Sequence, residues 1–338
     1  MNRRIVIGKF GQKLIFNRES KEACRSNTNG NVGAYKFFKL LIDNNPDVIF
    51  VVLGDNDLNT FDKIPFDNVI DGFRMGLDSC LRDDIDFAIC LIGLIDKDSS
   101  EGILERFINE SNVKWLLVGD DPRCLETNYS FKNKPYSIIL QFEGDMIFSD
   151  KNYKVSYIPI ERASCYEEDL SGEYCKSKNI TVIANTAGNY DRVGIVSNLI
   201  KYIDDVSVYG RVDEAVLNSN NKFKGEVSFN KVNDIMKESK MSLLVPIKKG
   251  WVTSKYVECL MNDVLPIFYE DYNYKLLGIH KDDMCVVRNA QELQEVVAFY
   301  SNNEYERKHK IDFLKNKLLK QYSDGRMLSN TIMSLLVK

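Results

Sequence analysis

Apolar runs just long enough for a β-strand recur along this chain, and segments of helical periodicity separate them. Asp47-Val-Ile-Phe-Val-Val-Leu53 is almost wholly apolar, and Phe87-Ala-Ile-Cys-Leu-Ile92 and Val113-Lys-Trp-Leu-Leu-Val118 repeat the pattern. Continuous apolar strands fit a sheet covered on both faces. An opening strand over Arg3 to Ile7 leads into a long polar loop through Asn31. Ala34, Phe37, Phe38 and Leu41 then fall at i, i+3, i+4 and i+7, one buried helix stripe, and Ser99 to Asn109 is also helix-like. Such alternation is the signature of parallel α/β layers.

From Glu161 to Asn179 the pattern gives way to a polar, cysteine-containing stretch that reads as an interdomain linker. A second series follows: a strand at Ile180-Thr-Val-Ile183, a helix over Tyr190 to Tyr202, a strand at Val206-Ser-Val-Tyr209, a helix near Val232 to Lys237 and a strand at Met241-Ser-Leu-Leu-Val245. The chain from Asn302 onward reads as helical. At 338 residues it is long for one core, and two domains are expected. The expected fold is two Rossmann-like domains with a central cleft, which places ligands at the carboxyl ends of the strands. The boundaries expected are 1–162 for an acceptor-side domain and 178–319 for a second, with a helix over about 320–338 packing back on the first.

Composition narrows the chemistry. No run of eighteen apolar residues is present, so no membrane-spanning helix is expected, and Met-Asn-Arg-Arg-Ile-Val-Ile-Gly leads into a strand in place of a signal peptide. Eight cysteines without a Cys-x-x-Cys pair, with Cys90, Cys259 and Cys285 inside apolar stretches, suit reduced thiols in the cytoplasm. Two histidines, His280 and His309, leave little for a His-ligated metal or a His-based triad, so no metal ligands are assigned and a carboxylate is the expected base. The net charge of −4 does not advertise nucleic acid, although a local basic cleft can bind phosphates on an acidic protein.

The richest stretch is Thr253-Ser-Lys-Tyr-Val-Glu-Cys-Leu-Met-Asn-Asp-Val-Leu-Pro-Ile-Phe-Tyr269. Val252, Tyr256, Cys259 and Leu260 mark the apolar side of a helix that ends near Asn262-Asp263, and a buried strand follows. Lys255 and Glu258, three residues apart in the first turn, can face one site. A cation at a helix N-terminus favours phosphate, and a carboxylate one turn later can accept two ribose hydroxyls. The same two residues also suit an ordinary surface ion pair.

Four segments carry a resemblance. Lys114-Trp-Leu-Leu-Val-Gly-Asp-Asp-Pro-Arg123, Tyr157-Ile-Pro-Ile-Glu161, Val182 to Arg192 and Lys255-Tyr-Val-Glu258, in this order and spacing, resemble the DNA β-glucosyltransferases of T-even bacteriophages. Those are GT-B enzymes that glucosylate 5-hydroxymethylcytosine in duplex DNA. The resemblance implies a GT-B fold, a UDP-sugar donor and inverting transfer to a hydroxymethylated pyrimidine in double-stranded DNA by a monomer. A bacteriophage gene product would act in the cytoplasm of its infected host. Whether a divalent cation, Mg2+ or Mn2+, assists the departure of UDP is left open by the sequence.

Residue by residue, the resemblance makes Asp121 the catalytic base, with Asp120 as its neighbour alternative; Asp120-Asp121-Pro122 is equally good turn chemistry. Arg192 and Lys255 would hold the diphosphate, although Gly188 stands where the family has a first arginine and Lys255 itself replaces an arginine. Gly210 and Arg211, after the strand ending at Tyr209, and Thr186 join the donor site, and Glu258 would take the ribose. The backbone at Val227, in Gly225-Glu-Val-Ser-Phe229, would read the uracil edge. Gly33, in Asn29-Gly30-Asn31-Val32-Gly33-Ala34-Tyr35, would let backbone amides approach the donor. Val32 stands where the family has a sugar-contacting glutamate, so glucose is the first choice of sugar with arabinose or another UDP-linked sugar close behind. Lys248, Lys249 and Trp251 are the candidates for DNA contact, the indole by stacking. Two rivals stay open: a UDP-sugar transferase acting on a glycan or protein, and a nucleotide-sugar-binding protein without catalysis.

Overall fold

Strand-length apolar runs set two separate parallel sheets in the computed structural model. The structure describes residues 3–10, 38–53, 67–72, 84–92, 103–119, 136–140, 153–157, 175–184, 191–227, 229–247, 249–250, 252–253, 255–319 and 325–337. The chain divides into two units: Met1–Phe142, Met146–Glu161 and Asp324–Lys338 form one, and Glu143–Asp145 with Arg162–Ser323 the other. Helices among the described residues include, in chain order, α1 (Ile103–Glu110), α2 (Arg192–Leu199), α3 (Glu214–Ser219), α4 (Phe229–Lys237), α5 (Lys255–Met261), α6 (Ala290–Asn302), α7 (Glu304–Leu318) and α8 (Gly325–Val337).

The first unit holds β1 (Arg4–Phe10), β2 (Ile49–Leu53), β3 (Val69–Asp71), β4 (Phe87–Ile92), β5 (Lys114–Gly119), β6 (Tyr136–Leu140) and β7 (Tyr153–Tyr157). They lie in the order β3-β2-β1-β4-β5-β6-β7, all parallel. Alternate residues mark one buried face: Ile5 and Ile7, Phe50 and Val52, Leu116 and Val118 join Ile89 in a single core cluster. Phe38, Leu41 and Ile42 from the helical residues 38–43 cover it, and Ile332 and Leu336 of α8 complete it. Asn45 Nδ2 donates to Ser329 Oγ at 2.7 Å, a polar pin from the same region to α8. On the opposite face, Leu104, Phe107 and Ile108 of α1 are buried. A Cβ on Gly8 would lie 2.3 Å from the Leu53 carbonyl oxygen and 2.8 Å from the Leu104 side chain, so glycine allows this close approach.

The second unit holds β8 (Lys178–Ile183), β9 (Val206–Tyr209), β10 (Phe223–Gly225), β11 (Ser239–Leu244), β12 (Leu265–Tyr269) and β13 (Cys285–Val287). Their order is β10-β9-β8-β11-β12-β13, again all parallel. In each sheet the order turns back on itself once, between β1 and β4 and between β8 and β11. Those are the switch points outside which open α/β sheets bind ligands.

The sequence pattern places β2, β4, β5, β9, β11 and β12 within a residue or two. It omits β3, β10 and β13, each three residues long, because so short a run has no readable period. It omits β6 and β7 as well, and starts β8 two residues late, at Ile180 instead of Lys178. The stretch from Asn302 is two helices, α7 and α8.

Helix α5 ends as its sequence requires. Asp263 takes φ 54°, Val264 N donates to Cys259 O at 2.9 Å and Asp263 N to Leu260 O at 3.3 Å. This is a Schellman close with aspartate in the left-handed position that glycine usually fills.

Candidate functional site

The chain leaving β8 and the chain leaving β11 carry the charged residues at the switch point of the second sheet. Asp191 caps α2, its Oδ1 accepting from Gly194 N at 2.8 Å. A Cβ on Gly194 would stand 2.2 Å from Asp191 Oδ2, so glycine makes room for that carboxylate. Arg192 follows, only 8% exposed, and its guanidinium donates to the carbonyl of Val245, the residue just past β11. The guanidinium thus spans the switch point from α2 to the strand beyond it.

Ten residues past Val245, Lys255 opens α5 and Glu258 follows one turn later. Glu258 is 2% exposed, and its Oε2 accepts from Lys255 Nζ. Its Oε1 is buried with no hydrogen-bond partner among the described residues. A buried acceptor left open costs about 1–3 kcal/mol, more when charged. The next residue, Cys259, is fully buried, and burial with the adjacent Glu258 charge pushes its thiol up to about 12. It stays a neutral thiol at physiological pH and offers no nucleophile.

The turn after β12 fixes the approach to α5. Tyr272 is buried, its hydroxyl accepting from Thr253 N at 2.9 Å and donating to the Thr253 carbonyl. Gly250 N donates to Asp271 O at 2.8 Å, while Lys249 Nζ stands 3.6 Å from Asp271 Oδ1 with most of its side chain in solvent. Burial raises the Tyr272 phenol far above the ordinary tyrosine range, so it remains a proton donor.

Gly210, Arg211 and Val227 gather elsewhere on the same sheet edge, past β9 and β10. Gly210, at φ 143°, donates its N–H to Gly225 O at 2.9 Å, and Gly225 sits at φ 79°. Val227, two residues on, is half-buried, and Arg211 is exposed. Gly33, Asp120, Asp121, Thr186, Gly188, Lys248 and Trp251 lie outside the described residues. Asp121 comes two residues after the end of β5, the strand beside β4.

Sequence reasoning missed Thr253, Val245 and Tyr272. The one signal available for Tyr272 was an aromatic residue placed directly after the polar pair Glu270-Asp271. Both histidines lie away from these groups: His280 accepts from Asp282 N, and His309 stacks on Tyr305 with centroids 6.3 Å apart. Among the described residues, no three His, Cys, Asp or Glu side chains gather as a metal site, and no helix is long and apolar enough to cross a membrane.

No protein-family model and no curated protein sequence matches this chain. Solved structures do match over the full length. The T4 phage β-glucosyltransferase with its UDP-glucose substrate superposes with a TM-score of 0.68 at 16% identity, covering 98% of this chain and 99% of that one. The same enzyme with UDP and Mn2+ gives 0.62 at 15% identity, with coverages of 98% and 99%. An α-glucosyltransferase with UDP and a 13-mer DNA containing an A:G mismatch gives 0.61 at 13% identity, covering 99% of this chain and 100% of that one. Two parallel α/β sheets in this order, matched end to end by these enzymes, give the chain the GT-B glycosyltransferase fold.

Proposed function

We propose that this protein transfers a sugar from a UDP donor to the hydroxymethyl group of a modified pyrimidine in double-stranded DNA, with inversion. The observation that carries the donor half is Glu258, a carboxylate 2% exposed, held by Lys255 on one oxygen and open on the other. A ribose brings two hydroxyl donors, and an ionised carboxylate has acceptor sites for both. Lys255, on the same helix, and Arg192, tied to the carbonyl of Val245 just past β11, are the diphosphate cations of this reading, the first a point charge on a flexible stem and the second a planar fork. The half-buried backbone about Val227 and Gly210, with Thr186, Gly188, Arg211 and Gly33, completes the donor-binding set of this reading.

The acceptor half rests on Asp121. Inversion needs one carboxylate to take the proton of the attacking hydroxyl as the oxygen bonds to the anomeric carbon and UDP leaves. Asp121, following a strand beside the switch point of the first sheet, is the residue of this reading, and Asp120 its alternative. Lys248, Lys249 and Trp251 are assigned to DNA. Glucose is the first-choice sugar and arabinose the second. A divalent cation would neutralise the departing diphosphate. The DNA acceptor is supported by the likeness to a DNA-modifying β-glucosyltransferase and to an α-glucosyltransferase bound to DNA, and the chain is taken to act as a monomer.

The test is incubation with labelled UDP-glucose or UDP-arabinose and either hydroxymethylated or plain duplex DNA, followed by nucleoside mass spectrometry. Label on hydroxymethylated DNA alone supports the proposal. UDP release with no labelled nucleoside shifts the acceptor to a glycan or protein, and binding without UDP release leaves a non-catalytic donor-binding protein.

A further inference from the structure

Tyr272 holds the backbone that enters α5 from both sides with one atom. A phenol carries one donor proton and two acceptor lone pairs. Its hydroxyl uses both functions on Thr253, accepting from the N–H at 2.9 Å and donating to the carbonyl, while Thr253 Oγ1 lies 3.4 Å away. Thr253 is itself buried and stands two residues before Lys255. The tyrosine is rigid in turn. Its ring is 1% exposed and meets Phe268 edge-on, centroids 5.0 Å apart. Its own N–H donates to Tyr269 O at 2.9 Å, and Glu270 N donates to Val287 O of β13 at 3.0 Å.

We propose that Tyr272 is a positioning residue for the nucleotide: through Thr253 it sets the entry of α5, and so where Lys255 and Glu258 stand. The inference rests on the reading that α5 holds the donor. Without the hydroxyl, a buried N–H and a buried carbonyl of Thr253 lose their partners, and the segment must move toward water to regain them. Lys255 and Glu258 lie within about one and a half helical turns of Thr253, so that movement displaces the ammonium and the carboxylate. The second tie between the same segments, Gly250 N to Asp271 O at 2.8 Å, is three residues further from α5 and leaves the helix entry unfixed.

Tyr272→Phe tests this, because the ring and its packing on Phe268 remain. Calorimetric titration with UDP is expected to show affinity about five- to twentyfold weaker. Steady-state kinetics should show the donor KM rising by a similar factor with kcat within about twofold. Cys285→Ala, a buried change on β13 outside the site, is the stability control; a comparable fall in melting temperature there should leave UDP affinity unchanged. Wild-type affinity in Tyr272→Phe, or a loss that the control reproduces, overturns the positioning role. Glu258→Ala separates the two levels. If Glu258→Ala also binds UDP normally, the donor-site reading fails and takes this inference with it. If Glu258→Ala is weakened and Tyr272→Phe is not, the inference about Tyr272 alone is overturned.

Discussion

Glu258 and Lys255 stand to each other as a pair waiting for a third member. An ammonium is a compact charge on a flexible four-carbon stem with three donors, able to turn from a carboxylate toward a phosphate when a ligand brings one. Lys255 is therefore expected to leave Glu258 Oε2 for the diphosphate as the ribose hydroxyls arrive. The prediction is a split: Lys255→Met weakens UDP about 10- to 100-fold, the size of a lost charged hydrogen bond of about 1.5–3 kcal/mol, while uridine binding is unchanged or tighter. Calorimetry with both ligands checks it, and equal losses for both would place Lys255 on the ribose. For Asp121 as base, Asp121→Asn should lower turnover about 10²–10⁴-fold with UDP-sugar affinity nearly intact. Asp120→Asn should be active; a dead Asp120→Asn beside an active Asp121→Asn moves the base by one residue. At this scale the sequence made Lys255 and Glu258 legible because three-residue spacing puts them on one helix face. The tie between Tyr272 and Thr253 was not legible, since nineteen residues separate them and only the folded β12 turn brings them together.

Among the elements, the close of α5 gathers charge. Lys176 Nζ donates to Asn262 O at 2.6 Å, and Lys315 Nζ bonds Asp263 Oδ1, so two ammonium groups meet the negative end of the helix. Burial lowers the Lys176 amine to about 8, against the attraction of Asp263. Its unfolded value is near 10.4, so between about pH 8 and 10.4 the unfolded chain holds more protons at this residue and stability rises with pH. Below about pH 8 the amine is charged in both states and the burial penalty is fully present. Urea unfolding of the wild type and Lys176→Met at pH 7.5 and 10 should therefore show the difference between them moving in favour of the wild type at high pH. A pH-independent difference would contradict the assignment. The elements differ in how far the sequence disclosed them. Phe87–Ile92 and Val206–Tyr209 are apolar enough to announce strands, and Val252, Tyr256, Cys259 and Leu260 announce the buried side of α5. Phe223-Lys-Gly225 does not, because an edge strand with one buried residue earns its place by pairing with β9, which no local pattern records.

For the whole molecule, a net charge of −4 sits oddly with a DNA acceptor, and salt dependence resolves it. If phosphates bind a local basic surface, affinity for duplex in the presence of UDP should fall steeply as salt rises, and neutralising Lys248 and Lys249 should flatten that slope by about one unit each. A flat dependence favours a glycan or protein acceptor. The two units should also be separable by melting. Ile332 is fully buried among Ile5, Phe38 and Val52, so Ile332→Ala should cost about 2–5 kcal/mol in the first unit. UDP should still raise the melting temperature of the second unit in that variant, as seen by differential scanning calorimetry. The position of Ile332 and Leu336 has one more consequence, which concerns the order of events on the ribosome. Synthesis runs from the N-terminus, and domains ordinarily mature in that order. Here the second sheet, ending with Val287 and covered by helices up to Leu318, is fully translated before α8 exists, whereas the first sheet waits for the last apolar pair of its core. The unit begun first thus waits longest for its core, and a nascent chain stalled before residue 325 would carry the whole second unit and a first unit still lacking α8.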